Sequence, residues 1–373
     1  MHRRLRQRGF SLLELLVAMA ITLVVLAAAM MVYQKSVQVA SFATSRAEMQ
    51  AELRAAMNQI TRDLNQAGTG IPVGGIPIPS TSNGGTNPVF ACDAGQCYIT
   101  AANAFTTGTL NKVTPGNAIG PNTLEATDAL VMVYMDPIAP TNDPTSSATG
   151  LDWSSYTTTN IATDGSSLTM PAGTTPALND PQKGLVLGDL LLMQNVRGSA
   201  LGVVTGFNAA AGTISFASGD PLKINQPAAT AIPGTLASLK IYPLPSSAPY
   251  YNPTSVARVM MITYFIRQDP NDGHYMLMRQ VNGRTPSPVA ENVEDLQITY
   301  DVLDDSKSPA VLTANLPNAA IGSPATPQPN MIRKINLTLT VRSPWPNAQG
   351  QIDRMSTTTS VGPRNLSFRD RYD

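Results

Sequence analysis

The sequence predicts an α+β protein in which a long N-terminal α-helix packs on a mostly antiparallel β-sheet head with long loops. Three observations lead to this fold class. No Pro or Gly interrupts residues 10–67, several later segments alternate apolar and polar residues, and Pro, Gly, Ser, Thr and Asn fill the stretches between those segments. The predicted organisation is a short basic segment over residues 1–9, a helix over 10–67 and a head over 68–373.

The first half of the helix is apolar enough to cross a membrane. Residues 10–33 contain one ionisable side chain, Glu14. At 1.5 Å per residue these 24 positions span about 36 Å, which exceeds the roughly 30 Å hydrocarbon core of a bilayer. We therefore predict that residues 10–33 form a transmembrane segment.

The charges that flank this segment predict its orientation. Four arginines precede it, whereas only Lys35 and Arg46 follow closely after it. By the positive-inside rule, the N-terminus stays cytoplasmic and the remainder of the chain is exported. The predicted location is therefore the inner membrane, with one membrane pass and a periplasmic head.

Beyond Gln34 the helix becomes amphipathic. Its apolar residues recur at spacings of three, four and seven, which places them on one face. We expect that face to pack on the head through Phe42, Met49, Leu53, Met57, Ile60 and Leu64. One continuous helix of roughly 57 residues and about 85 Å accounts for both halves.

Alternating segments predict the strands of the head. The segments 296–302 and 334–341 each have apolar residues on one face and polar residues on the other, as half-buried strands do. The segment 259–266 is apolar on both faces and predicts a central strand. A turn at 269–273 and a strand at 275–281 then complete a β-hairpin. Surface loops are predicted at 68–89, 106–123, 140–182, 225–234 and 304–330.

Composition argues against several classes of function. Without the four arginines of residues 1–9, 21 basic residues face 25 acidic ones, so a nucleic-acid partner is not expected. No phosphate-binding loop or zinc-ligand motif is present, and His274 is the one histidine after residues 1–9. We expect no enzyme activity, no cofactor and no metal. Calcium binding by Asp269 and Asp272, or by Asp301, Asp304 and Asp305, is the alternative to ordinary turn acids.

Two cysteines, Cys92 and Cys97, are separated by four intervening residues in a loop that contains no histidine. A small disulfide in an oxidising compartment fits this spacing better than a zinc site, which requires four ligands. Two reduced thiols are the alternative.

The residues from Arg8 to Ala18, RGFSLLELLVA, resemble the class III leader of type IV prepilins and of type II secretion pseudopilins. The resemblance implies that prepilin peptidase cuts between Gly9 and Phe10 and that Phe10 is then N-methylated. It also implies that Glu14 docks against the terminal amine of a neighbouring subunit during assembly. The alternative for Glu14 is a position near the cytoplasmic interface, where its side chain can reach water.

Further segments are similar to PilW-type minor pilins: residues 60–68, 188–192, 293–300 and 332–339. This resemblance implies a priming or tip complex in a type IV pilus, at the cell surface. It also implies partnership with the major pilin, other minor pilins and a tip adhesin, and roles in adhesion and twitching motility.

Two alternative functions share part of this pattern. A type II secretion pseudopilin has the same N-terminal chemistry. A secreted binding module or enzyme would instead be cut by signal peptidase near Ala29, after the small residues Ala27 to Ala29. The acidic Glu14 and the unbroken helical pattern beyond Tyr33 argue against that second alternative.

Overall fold

The structure is a computed structural model. It describes residues 11–72, 74–79, 92–93, 96–97, 109–121, 124–136, 156–158, 160–171, 177–181, 184–228, 232–240, 254–269, 271–304, 306–321, 327–347 and 350–366.

The N-terminal helix, α1, runs without interruption over Leu12–Gln66 and confirms the predicted long helix. Its 55 residues correspond to about 82 Å. The helix ends where Gly68 adopts a φ of +79°, and the Gly68 N–H donates to the Val133 carbonyl at 2.8 Å. A left-handed glycine is a common helix terminator because it lacks a Cβ, and a Cβ built here would lie 2.8 Å from Cδ of Lys112.

The chain divides into two compact units. One comprises Met1–Ala51 with Arg342–Arg354, and the other comprises Glu52–Val341 with Met355–Asp373. The first unit contains most of α1 and the connection between the last two strands. The second contains the end of α1 and the β-sheets.

The predicted buried stripe of α1 is confirmed except at its first position. The side chains of Met49, Leu53, Met57, Ile60 and Leu64 are all buried. Phe42 was expected among them, but it is 42% exposed. The guanidinium of Arg46 lies 5.4 Å from the centre of its ring, one turn further along the helix.

The strands have the following bounds. They are β1 (Ile76–Pro77), β2 (Cys92–Asp93), β3 (Gln96–Cys97), β4 (Thr109–Leu110), β5 (Val113–Gly116), β6 (Ala129–Met135), β7 (Tyr156–Thr158), β8 (Asn160–Ile161), β9 (Ser167–Thr169), β10 (Leu190–Asn195), β11 (Gly198–Val203), β12 (Gly206–Asn208), β13 (Thr213–Ser215), β14 (Thr254–Gln268), β15 (Tyr275–Val281), β16 (Ser287–Glu291), β17 (Val293–Asp304), β18 (Val311–Pro317), β19 (Ile332–Arg342) and β20 (Arg354–Val361). Short 3-10 segments lie at Leu236–Leu239, Asn318–Ala320, Pro329–Met331 and Arg364–Leu366.

The long strand β14 is the centre of an eight-stranded antiparallel sheet. One edge of β14 pairs first with β10 and then with β15, and its other edge pairs with β7 and then with β6. Strands β11, β16 and β5 extend the sheet through β10, β15 and β6. Separate apolar clusters contain alternate residues of β10, so the sheet is buried on both faces. The predicted central strand and its hairpin to β15 are both confirmed.

A second sheet has the order β18-β17-β19-β20. The predicted inward residues of β17 and β19 are buried, among them Leu296, Ile298 and Leu337. The alternation therefore places one face of this sheet in the core. The remaining strands form a four-stranded sheet, β12-β13-β9-β8, and the two-stranded pairs β1-β4 and β2-β3.

Several intervals that the sequence predicts as loops contain strands. The loop prediction is wrong at β1 within 68–89, at β4 and β5 within 106–123, at β7 to β9 within 140–182, and at β18 within 304–330. These strands are short or lie at sheet edges. These strands are stabilised mainly by backbone hydrogen bonds to a neighbouring strand. Such bonds do not require apolar and polar residues to alternate, so the sequence contains no strand signal there. In β18 every residue but one is exposed, although the strand pairs with β17 along its length.

Candidate functional site

The N-terminal half of α1 presents a long apolar surface. Its large apolar side chains from Leu12 to Tyr33 are between 51% and 80% exposed. Within the described part of the chain, α1 is the helix that is long and apolar enough to cross a membrane. An apolar surface of this extent requires lipid or an apolar protein partner, so the helix is consistent with membrane anchoring.

Glu14 and Ser11 form a capping box at the start of α1. The Ser11 N–H donates to Oε2 of Glu14 at 3.0 Å, and the Glu14 N–H donates to Oγ of Ser11 at 3.2 Å. These bonds satisfy amide groups that have no partner within the helix. The Ser-x-x-Glu spacing could have predicted this arrangement from the sequence.

This geometry gives Glu14 a local partner in the isolated chain. The carboxylate also lies beside the first turn of the helix, at the positive end of the helix dipole. Gly9 and Phe10 lie outside the described residues. Cleavage and N-methylation at these positions therefore stay predictions, as does the pairing of Glu14 with a neighbouring amine.

A second polar group, which the sequence analysis missed, joins the end of α1 to the main sheet. Asp63 is buried among the apolar residues of the helix, and its Oδ2 accepts hydrogen bonds from the Tyr264 hydroxyl and from Nε of Arg279, each at 2.7 Å. Tyr264 and Arg279 face each other as direct partners on β14 and β15. A single carboxylate therefore ties the helix to two adjacent strands.

The environment of Asp63 keeps its hydroxyl partner neutral. Burial, followed by the negative charge of Asp63, raises the pKa of Tyr264, and the same two causes raise the pKa of Tyr134 to about 12. Burial would lower the pKa of Arg279, but its hydrogen bond to Asp63 and the Asp63 charge outweigh that effect and raise it. The group thus consists of the Asp63–Arg279 ion pair and one neutral tyrosine donor, Tyr264.

A comparable network of hydrogen bonds and ion pairs holds the Gly188-Asp189 segment that precedes β10. The buried Asp189 carboxylate accepts from the Val186 N–H at 3.0 Å and from Nη2 of Arg284 at 2.6 Å. Oδ2 of Asp189, which accepts from Val186, also lies 3.6 Å from Nη1 of Arg258, and Arg258 is itself paired with Asp136. Gly188 has a φ of +84°, a conformation that favours glycine. This segment fixes the start of a core strand and is structural.

Cys92 and Cys97 are Cα partners in the antiparallel pair β2-β3. Directly opposed residues of such a pair have Cα atoms about 4.5 to 5.5 Å apart, which is within the range of a disulfide. The two side chains lie outside what the structure describes. The disulfide therefore stays a prediction.

We expect peptide mapping without reduction to recover a fragment that links Cys92 and Cys97. Substitution of both by serine should lower the free energy of unfolding by only about 2 kcal/mol, because so short a loop removes little entropy from the unfolded chain. The control is the same digest after reduction, in which the linked fragment should separate. Alkylation of both thiols in freshly isolated, unreduced protein would contradict the prediction.

The acidic groups considered for calcium have local partners. Oδ1 of Asp269 accepts from the Asn271 backbone at 2.8 Å, and Oδ1 of Asp272 accepts from the His274 backbone at 2.9 Å. Asp304 accepts from Ser306 and pairs with Lys307 at 3.0 Å. Asp305 lies outside the described residues. Across the described ranges, no three His, Cys, Asp or Glu side chains come together as a metal site would require.

Comparison with known proteins bears directly on the N-terminus. Residues 4–30 match the family described as "Prokaryotic N-terminal methylation motif". The chain carries a prepilin-type motif. It is also 35% identical over 89 residues to "Pilin-like protein PilA3" of Thermus thermophilus, an alignment that covers 22% of this chain and 38% of that relative. No solved structure matches.

These similarities support a type IV pilin-like protein. They agree with the observed architecture, one long apolar N-terminal helix followed by antiparallel sheets. The chain spans well under half of the length of the relative. The alignment therefore does not establish the role of the whole protein.

Proposed function

We propose that the protein is a structural minor pilin of the PilW type, a subunit that assembles through α1 into a type IV pilus. The observation that carries this proposal is the position of the motif. The match over residues 4–30 coincides with the start of a 55-residue helix whose first half is exposed and apolar. Such a helix can pass from lipid into a bundle of similar helices, because both environments are apolar.

In this proposal the chain first spans the inner membrane once, with its N-terminus cytoplasmic and its head periplasmic. Prepilin peptidase removes residues 1–9, and the new terminus at Phe10 is N-methylated. The subunit then joins the major pilin and other minor pilins in a priming or tip complex at the cell surface, with a tip adhesin as a further partner. Adhesion and twitching motility follow from the filament, and no enzyme activity is required.

Glu14 has two partners in succession in this proposal. In the single subunit it caps its own helix through Ser11. In the filament it meets the terminal amine of a neighbouring helix, and this pairing sets the register between subunits. The second partner exists only after the Gly9-Phe10 bond has been cut, so processing and assembly are coupled.

N-terminal mass spectrometry of the mature protein tests this processing step. We expect the chain to begin at methylated Phe10, and we expect Gly9→Leu to remain unprocessed in the inner membrane, because only the prepilin route depends on that glycine. The matched control is Gln7→Leu, which leaves the glycine in place. A mature terminus near Met30 would instead indicate a secreted protein cut by signal peptidase.

Mass spectrometry of sheared filaments separates the two filament systems. The minor pilin proposal expects peptides of this chain together with the major pilin. Their absence from pili, combined with loss of protein secretion in a deletion strain, would favour a type II secretion pseudopilin.

A further inference from the structure

An exposed tryptophan lines a groove beside α1, and this groove begins just beyond the apolar half of the helix. The connection between β19 and β20 contains Trp345, which is 76% exposed and stands between Pro344 and Pro346. This connection and the turns of α1 from Lys35 to Glu48 line a groove of about 800 Å³. All of these residues belong to the same compact unit.

The connection is held by its own hydrogen bonds. The Ser343 N–H donates to the Asp353 carbonyl at 2.7 Å, and Oγ of Ser343 donates to the Trp345 carbonyl at 2.9 Å. The Asn347 N–H donates to the Gln351 carbonyl at 2.7 Å. The flanking prolines restrict the backbone further. Trp345 is therefore held in its exposed position by a turn whose backbone is fixed by hydrogen bonds and prolines.

The position of the groove along α1 indicates what Trp345 meets. The groove begins at Lys35, two residues after Tyr33, which corresponds to about 3 Å along the helix. The headgroup layer of a bilayer adds about 5 to 8 Å beyond each side of the hydrocarbon core. When residues 10–33 span the membrane, the near end of the groove lies within this layer. This step rests on the membrane anchoring in the proposed function.

The chemistry of the surface fits that layer. Tryptophan and tyrosine are enriched at membrane interfaces because each combines an apolar ring with a polar donor. Tyr33 is 68% exposed, and Lys35 can place its ammonium group among phosphates while its stem lies along apolar surface. The exposed apolar face of α1 continues past Tyr33 through Val37 and Val39.

We propose that Trp345 is an interfacial anchor, with its indole in the headgroup layer of the phospholipid bilayer before the subunit enters a filament. Together with Tyr33 and Lys35 it forms a lipid-binding surface at the point where α1 leaves the membrane. A partner subunit is a poorer fit for this surface, because the groove adjoins the helix segment that lipid already surrounds in the anchored state.

Depth-dependent quenching of tryptophan fluorescence tests this proposal. The sequence contains two tryptophans, so Trp153→Phe leaves Trp345 as the sole reporter. The full chain is placed in vesicles of phosphatidylcholine and phosphatidylglycerol whose acyl chains are brominated either near the headgroup or near the chain end. We expect emission to fall by roughly half with bromine near the headgroup and little with bromine near the chain end, in keeping with an interfacial indole.

The matched control places an indole further along α1, in the same compact unit. Ala47 is exposed and lies roughly 21 Å beyond Tyr33 along the helix. Ala47→Trp, combined with Trp153→Phe and Trp345→Phe, should show no greater quenching in brominated vesicles than in unbrominated ones. Equal quenching of both reporters would show non-specific adsorption to the vesicles and would overturn the proposal.

Other outcomes are equally decisive. If the chain stays in the vesicles after alkaline extraction but Trp345 is not quenched, the membrane helix stands and the interfacial anchor is refuted. If the chain is released by alkaline extraction, the proposed membrane anchoring itself fails. If Trp345 becomes shielded from solvent only after pilin partners are added, it lies in a protein interface and the lipid contact is refuted.

Discussion

Replacing Asp63 by alanine should lower the free energy of unfolding by about 3 kcal/mol, because it leaves the buried guanidinium of Arg279 and the hydroxyl of Tyr264 without their acceptor. The guanidinium of Arg279 and the hydroxyl of Tyr264 both bond to this carboxylate at 2.7 Å. The Asp63 side chain is 6% exposed and that of Arg279 is 21% exposed, so solvent screens the ion pair only in part. Urea denaturation of the full chain in detergent micelles measures the change as a lower midpoint at constant m.

Two further variants separate the ion pair from the neutral bond. Tyr264→Phe keeps the ring in the core and removes one hydrogen bond, so it should cost about 1 kcal/mol. Asp63→Leu combined with Arg279→Met removes both charges and should recover most of the loss, because apolar replacement of a buried pair is often neutral. A change below about 0.5 kcal/mol for Asp63→Ala would show that the junction does not stabilise the fold.

Substituting Glu14 should reduce recovery in sheared filaments by at least about tenfold, a loss equivalent to about 1.4 kcal/mol. Glu14→Gln is the sharper variant, because glutamine at this position still completes a capping box with Ser11 and removes only the charge. Membrane retention should persist or improve, since an ionised group in an apolar helix opposes insertion. Immunoblots of sheared and membrane fractions, expressed as a ratio, measure the effect.

Ser11→Ala is the matched control for Glu14. It breaks one half of the capping box at a cost of about 1 kcal/mol and leaves the carboxylate charged. Incorporation of this variant should remain near that of the unaltered chain. If Glu14→Gln assembles normally while Glu14→Ala and Ser11→Ala do not, helix capping is the role of Glu14 and the proposed pairing is wrong.

The long helix and the central strands could be predicted because each has its own signal in the sequence. The absence of Pro and Gly up to Gly68 predicts α1, and alternation predicts β17 and β19. Phe42 was wrongly predicted to be buried. Helical periodicity identifies the apolar face of a helix, but it does not show at which residue that face becomes exposed. The edge strand β18 escaped notice because a strand exposed on both faces has no apolar alternation.

The polar contacts of the site could be predicted only in part. The capping box of Ser11 and Glu14 is local, and a four-residue pattern contains it. The partners of Asp63 are not local, since Tyr264 and Arg279 lie 201 and 216 positions away in the chain. No spacing rule connects such residues. They meet only because β14 and β15 pair in one register beside the end of α1.

The central place of β14 also sets an order of events during biogenesis. Val131 of β6 pairs with Thr263 of β14, and Leu190 of β10 pairs with Val259, so neither neighbour can complete the main sheet until β14 has been synthesised. Contacts so distant in sequence form slowly, because a long loop must close before they contribute stability. If α1 enters the bilayer first, as the proposed topology requires, the head passes through a period as a tethered, unfinished chain. During that period the edges of the early strands remain unpaired and can aggregate until β14 pairs with them.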